Sequence, residues 1–173
     1  MTDDSTILPC VSDQPLPQGD RVAIVTNAGG AGIVASDTIE NTGLSMARFE
    51  KETLDNLREL LPTEANIYNP IDVVFDAKAD RYAFALETIL NDPNVDSVVI
   101  LVCPTAAADP ENIAGKIIEL HNKLPDKPVF VAYMGFAPAE CETTRTRPKT
   151  PPPIQSTQRS QKNWLANYEN LTL

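Results

Sequence analysis

The chain has 173 residues, the size of one ordinary domain with a real hydrophobic core. Its 24 Asp and Glu against 14 Lys and Arg give a formal charge of −10, which argues against a nucleic-acid surface or a face for anionic membranes. No apolar run is as long as a membrane span, Met1-Thr-Asp-Asp-Ser lacks the start of a secretion signal, and Cys10, Cys103 and Cys141 form no metal-ligand pair, so the expectation is a soluble cytoplasmic protein with reduced thiols.

Residues 1–18 are polar and carry Pro9, Pro15 and Pro17 without periodicity. They read as a linker. A domain is expected over 19–136. Val22 to Val25 is a short apolar run rich in β-branched residues, the mark of a strand covered on both faces. Thr26 and Asn27 end it, and Gly29, Gly30 and Gly32 follow. Glycines there let the backbone turn tightly and approach a ligand without a Cβ in the way. A helix is predicted from about Gly30, with Ile33, Val34 and Ile39 available for packing. The first N–H groups of a helix have no internal partner, and the helix dipole places positive charge on them. Such an end suits a phosphate or carboxylate. The same glycines also serve a plain tight turn, and on spacing alone both readings stand.

Asn41-Thr-Gly43 stops that helix. Leu44 to Phe49 is predicted as a second strand and Glu50 to Leu61 as an amphipathic helix, with Leu54, Leu57, Leu60 and Leu61 on one side. Asn69-Pro70 predicts a non-helical turn. Ile71, Val73 and Val74 surround Asp72, which suits a backbone cap or a ligand. Asp80 to Leu90 is helical in pattern, with Tyr82, Leu86 and Ile89 spaced for packing. Ser97 to Val102 is the most strand-like run. Asp109-Pro-Glu opens a further helix, an N-cap followed by a first-turn proline and an acid. That helix runs to about Lys123 and carries the single histidine, His121, read as a solvated surface residue. Lys127 to Tyr133 is a last buried strand.

Strands and helices alternate, and the best strands are apolar throughout. This predicts an α/β doubly wound parallel sheet with helices on both faces. Ligands then belong beyond the carboxyl ends of the strands, where Asn27–Gly32, Asn69–Asp72 and Cys103–Ala108 are the candidate loops. At Phe136 the character changes. Residues 137–173 hold five of the fifteen prolines, including Pro151-Pro-Pro153, and a local charge of +2 against −12 for the rest. Cys141 to Asn163 has almost no apolar residue and cannot build a core. A basic, proline-rich and disordered tail is expected, with at most a short helix near Trp164 to Asn170.

Several separated motifs now fall in order: Gly19-Asp-Arg-Val-Ala-Ile-Val-Thr-Asn-Ala-Gly-Gly-Ala-Gly32, Leu61-Pro62, Asn69-Pro-Ile-Asp-Val73, Arg81-Tyr82 and Tyr133-Met-Gly135. Together they resemble the flavodoxin-like ligase domain at the C-terminal end of the α part of ADP-forming acetyl-CoA (acyl-CoA) synthetases, enzymes similar to succinyl-CoA synthetase. The resemblance covers about residues 14–135. It implies a flavodoxin-like three-layer fold and a part in the reversible conversion of acyl-CoA, ADP and phosphate into acid, ATP and CoA by way of a phosphohistidine. It implies that the helix opening at Gly29-Gly-Ala-Gly32 points its N-terminus at that phosphohistidine, with Asn27, Ala28, Gly29, Gly30, Ala31 and Gly32 around the phosphate and Asn69, Pro70 and Asp72 lining the pocket.

The CoA-binding, phosphohistidine-bearing and ATP-grasp domains have no counterpart in these residues, and His121 sits in no matching motif. The resemblance therefore implies partner domains, in cis or in trans, and a chain that is inactive alone. CoA, ADP or ATP, phosphate and Mg would be used by the whole enzyme, none of them bound by this chain alone. Phe136 stands where the family has a second glycine, and Leu165-Ala-Asn-Tyr168 looks family-like again. This is read as a break in the reading frame between about Phe136 and Asn163, costing the domain its last strand and helix and leaving a sheet edge exposed. Two other classes compete. One is a dinucleotide-binding oxidoreductase using Gly30 and Gly32 for a pyrophosphate and Glu50 for a ribose, although Gly-Gly-Ala-Gly is not GxGxxG. The other is a non-enzymatic remnant or interaction module.

Overall fold

The computed structural model describes residues 14–134. The expected tail over 137–173 and most of the expected linker lie outside the described residues. The order of elements is β1 (Arg21–Thr26), α1 (Gly29–Asn41), β2 (Ser45–Met46), α2 (Lys51–Leu60), β3 (Ile71–Asp72), α3 (Ala79–Leu90), β4 (Ser97–Val102), α4 (Pro110–Lys123) and β5 (Val129–Tyr133). All pairings of these strands are parallel, in the order β2-β1-β4-β5. The predicted α/β class is therefore the observed one. Ladder residues from Val22↔Ser97 to Thr26↔Leu101 join β1 to β4 over nearly their whole length.

The two faces of the sheet are covered unequally. Ala23, Val25, Val98, Ile100 and Val102 pack on one face against Leu57 of α2, Tyr82, Leu86 and Ile89 of α3, and Ile113 and Ile117 of α4. Val22, Ile24 and Leu101 pack on the other against Ala35 and Ile39 of α1. Strand periodicity sends alternate side chains to opposite faces, so a strand with helices on both sides is apolar throughout. That is why β1 and β4 were legible as strands.

The second strand is shorter than Leu44–Phe49. Only Ser45 and Met46 pair with β1, and its C-terminal half takes β3 instead, through Val25↔Ile71 and Thr26↔Asp72. Asn69 fills the gap where β1 changes partner. Its Oδ1 accepts the Ile24 N–H (2.9 Å), and its Nδ2 donates to the carbonyls of Val22 (2.7 Å) and Ala47 (3.1 Å). One side chain thus takes up the Ile24 N–H and braces the two carbonyls beside it, the Val22 carbonyl also accepting the Ala47 N–H. The following Asn69–Pro70 bond is cis.

Two expected packing faces also differ. In α1, Ile39 is buried but Ile33 and Val34 are 62% and 45% exposed, because the helix meets the sheet through its small residues Gly32 and Ala35. In α2, Leu57 is buried, but Leu60 points to solvent and Thr53 takes a place on the inner face. The Asp109 cap forms as predicted, its Oδ1 accepting the Asn112 N–H at 3.2 Å.

At the amino ends of the strands a polar clamp closes the fold. Asp96 Oδ2 accepts the Arg21 backbone N–H (3.0 Å) and Nε–H (2.7 Å), and Oδ1 accepts from Nη2 (2.8 Å). A Cβ on Gly19 would lie 2.5 Å from Asp96 Oδ2, so this close approach requires glycine. The Arg21 guanidinium holds the Asp96 carboxyl below the usual carboxylate range. Beside it the buried Asp92 carboxylate accepts the N–H groups of Asn94 and Glu50.

Candidate functional site: the open end of the first helix

The site lies beyond the carboxyl ends of β1, β3 and β4. Ala28 precedes α1 in an extended conformation and offers no side-chain cap, and the first turn carries no acid. The Ala28 N–H donates to Thr26 Oγ1 (3.1 Å), and the N–H groups of Ala31 and Gly32 both donate to the Ala28 carbonyl (3.1 and 3.2 Å). The N–H groups of Gly29 and Gly30 have no acceptor among the described residues, and both glycines are exposed. Two oriented donors at the positive end of a thirteen-residue helix therefore face solvent.

The three glycines differ in their surroundings. A Cβ on Gly30 would meet nothing within 4 Å. On Gly32 it would press on Thr26 Cγ2 (3.1 Å) and on Pro70 (3.3 Å). On Gly29 it would lie 3.1 Å from Asp72 Oδ2. Gly32 is thus a packing glycine, and the space over Gly30 is left to a ligand or to solvent.

The remaining predicted site residues divide by role. The Asn27 side chain is buried, and both ends of its amide are engaged. Nδ2 donates to the Cys103 carbonyl (2.9 Å) and Oδ1 accepts the Cys103 N–H (2.8 Å). Asn27 thereby extends the β1–β4 ladder one residue past its end. Asn69 is spent on β1 and β2, and Pro70 wedges against Gly32. Of the expected Asn69–Asp72 loop, Pro70 and Asp72 reach the carboxyl end of β1 and Asn69 does not. Asn69 sits beside the middle of β1, and the loop that leaves β3 at the site is 73–77. Asp72 does stand at the end of α1. Its Oδ1 accepts the Val74 N–H (2.9 Å), and Oδ2 faces Gly29.

The 73–77 loop is braced. Arg81 Nη1 donates to the Val73 carbonyl (2.8 Å) and pairs with Asp76 (2.6 Å). Val74 has φ of 70°, a region that a β-branched side chain enters only at a cost of about 1–3 kcal/mol. Phe75 is held out at 70% exposure.

The spacing of Tyr82 predicts packing. It is fully buried, but its hydroxyl has no hydrogen-bond partner among the described residues. Burial raises its pKa, and the nearby Asp72 carboxylate raises it further, so it stays protonated. Burial and the Asp72 charge also push the Cys103 thiol up. The Cys103 sulfur contacts Met134 Sδ at 3.6 Å. The sequence offers two signals for Tyr82, its place in the Arg81-Tyr82 motif and its spacing among apolar residues, and the spacing reads equally as plain core.

His121 is half-buried rather than solvated. Its Nε2 is buried without a partner among the described residues, and burial lowers its pKa below the ordinary histidine value. It lies late in α4, away from the α1 end. Glu50 does not join Gly30 as a dinucleotide site would need; its N–H binds Asp92 at the opposite end of the sheet. A groove of about 720 Å³ runs along the β2 edge past Glu40, Arg48 and Tyr68, towards the C-terminal end of α1. No group of three or more His, Cys, Asp or Glu able to hold a metal occurs among the described residues. Nor is any described helix long and apolar enough to cross a membrane.

The family model described as "Ligase-CoA domain" matches residues 22–144. The chain belongs to the Ligase-CoA domain family. The α subunit of acetate–CoA ligase [ADP-forming] II from Pyrococcus furiosus is 40% identical over 127 residues, which are 70% of this chain and 27% of that one. Acetate–CoA ligase [ADP-forming] I from Archaeoglobus fulgidus is 41% identical over 100 residues, 56% of this chain and 15% of that one. Among solved structures, a dinucleotide-forming acetyl-coenzyme A synthetase 1 of Ca. Korarchaeum cryptofilum, in complex with phosphate and ADP, superposes with a TM-score of 0.68 at 30% identity. It covers 73% of this chain and 28% of its own. A protein of Pyrococcus horikoshii superposes with a TM-score of 0.70 at 33% identity, over 79% of this chain and 32% of its own. The flavodoxin-like reading agrees with these neighbours. The chain spans about a quarter or less of the two curated relatives it matches.

Proposed function

We propose that this chain is the part of an ADP-forming acyl-CoA synthetase that receives a phosphorylated histidine, held on another domain, at the N-terminus of α1. The observation that carries the reading is the pair of open N–H groups at Gly29 and Gly30, with no side-chain cap and empty space over Gly30. A phosphoryl group brings two negative charges to those donors, and hydrogen bonds to charged acceptors are about twice as strong as neutral ones. Asp72 Oδ2 stands at the same helix end as an acceptor. It suits a ligand that carries an N–H beside its phosphate, as a phosphorylated imidazole does. Asn27 and Asn69 act indirectly in this reading, by fixing the β1–β4 and β1–β2 frame from which α1 departs.

The whole enzyme would convert acyl-CoA, ADP and phosphate into acid, ATP and CoA. The CoA-binding, phosphohistidine and ATP-grasp domains are the proposed partners, and the cytoplasm is the proposed location. Mg, ADP and CoA would be held by those domains. The test is a chimaera in which this chain's residues replace the matched 127 residues of the Pyrococcus furiosus α subunit. Assembled with the remaining parts of that enzyme, it should form ATP from acetyl-CoA, ADP and phosphate. A folded, assembled chimaera without activity would overturn the proposal, as would ATP formation by this chain alone.

A further inference from the structure

The first turn of α3 reaches back to the loop that borders the α1 end. Arg81, its side chain 24% exposed, directs Nη1 at two acceptors, the Val73 carbonyl (2.8 Å) and the Asp76 carboxylate (2.6 Å). The Val73 carbonyl and the Val74 N–H belong to one planar peptide unit. That N–H donates to Asp72 Oδ1 (2.9 Å), while Asp72 Oδ2 faces Gly29. A single peptide is thus held between a guanidinium and a carboxylate. Its neighbours are anchored on both sides. The Val73 N–H donates to the Thr26 carbonyl (2.8 Å), and the Val74 carbonyl accepts the Ala77 N–H (3.0 Å). The unit can therefore turn over alone. Doing so would carry the Val74 φ from 70° to about −110°, inside the ordinary β region. A β-branched residue gains by that change, so the observed orientation needs something to hold it. A charge-assisted hydrogen bond, about twice as strong as a neutral one, supplies the hold.

We propose that Arg81 is the positioning residue for Asp72. By gripping the Val73 carbonyl it keeps the 73–74 peptide in its strained orientation, and the Val74 N–H then fixes Asp72 with Oδ2 towards the N-terminus of α1. Without the grip the peptide turns over, the N–H leaves Oδ1, and the carboxylate loses that tether. Nη1 carries two N–H groups in a fixed plane, one for each acceptor, which a lysine ammonium does not reproduce. The first residue of the Arg81-Tyr82 motif thereby gains a function that helical spacing does not assign. Its part in the reaction rests on the phosphohistidine reading above; its geometry does not.

Nuclear magnetic resonance on the full chain reads the grip directly. A positive φ brings an amide proton close to its own Hα, so native Val74 should show a strong intraresidue HN–Hα cross-peak and a slowly exchanging amide. Arg81→Gln should weaken the cross-peak and speed exchange at Val74 by about tenfold or more, the scale of a lost charged hydrogen bond, while the amides of α3 stay protected. Asp76→Asn loosens the guanidinium from an exposed partner. It should move Val74 the same way by less, and it decides the matter if Arg81→Gln does not fold. Glycine takes a positive φ at no steric cost, so adding Val74→Gly to Arg81→Gln should restore slow exchange at position 74. In the active chimaera Arg81→Gln should lower kcat for ATP formation by roughly 10–10²-fold, the scale of a small misplacement. It should leave KM for ADP unchanged, and Val74→Gly should relieve the loss. The assignment is overturned if Arg81→Gln folds with Val74 unaltered, if the peptide turns over and kcat is kept, or if the loss resists Val74→Gly. An inactive parent chimaera would count against the phosphohistidine reading, and the amide measurements would then bear out or overturn the grip by themselves.

Discussion

Gly30 and Gly32 are two residues apart in one helix, yet substitution to alanine should move stability in opposite directions. A glycine in a helix costs about 1 kcal/mol relative to alanine, so both positions offer a similar gain. At Gly30 the new methyl meets nothing within 4 Å, and part of that gain is realised. At Gly32 the methyl lies 3.1 Å from Thr26 Cγ2 and 3.3 Å from Pro70, inside the ordinary carbon–carbon separation of about 3.5–4.0 Å. Thr26 is fully buried, and Pro70 is rigid, so neither yields easily. Overpacking of this kind costs about 1–3 kcal/mol, which exceeds the helical gain. The two variants should differ by about 2 kcal/mol, or roughly 8 °C in melting midpoint. Thermal unfolding followed by circular dichroism measures this. Equal midpoints, or Gly32→Ala the more stable, would refute the assignment of Gly32 to packing and Gly30 to open space.

Tyr82→Phe should raise stability by about 1 kcal/mol, because it removes a buried hydroxyl that makes no hydrogen bond among the described residues; a loss in urea unfolding would show that the hydroxyl has a partner. Asn27→Ala should cost about 1–3 kcal/mol by leaving both backbone groups of Cys103 unpaired, and hydrogen exchange at the Cys103 amide should rise with it. Asp96→Asn should destabilise at neutral pH. The folded Asp96 pKa is depressed by Arg21, so its contribution is full above the unfolded value of about 3.9 and is lost as pH falls through the lower folded value. The gap between wild type and variant should therefore narrow below about pH 4, and urea titrations across that range would show it; a constant gap would contradict the pairing.

The elements that sequence made legible are those whose neighbours impose a period. β1 and β4 lie between helices on both faces and are apolar throughout. Asp109-Pro110 announces α4 by local hydrogen bonding alone. What sequence did not show depends on contacts between distant residues. Asn69 replaces ladder bonds of a strand 45 residues away, and this shortens β2 and lets β3 form. Asn27 reaches 76 residues ahead to Cys103, so a side chain that looked free for a ligand is engaged. Ile33 and Val34 read as core because they are apolar, yet α1 docks through glycine and alanine, which bring the helix close to the sheet. The glycine turn was visible as an anion site in outline. The open donors at Gly29 and Gly30 and the carboxylate of Asp72 beside them emerged only once the loops were placed.

The central claim, that the α1 N-terminus receives a phosphoryl group, is tested most directly by Gly30→Val in the active chimaera. A Cβ at this position meets nothing within 4 Å, and the two γ-methyls of valine would extend from it into the space at the helix end. The expected result is a melting midpoint no lower than that of the parent chimaera and a fall in ATP formation of about 10²-fold, the scale of losing one oriented backbone donor. Full activity in a variant that folds and assembles normally would contradict it.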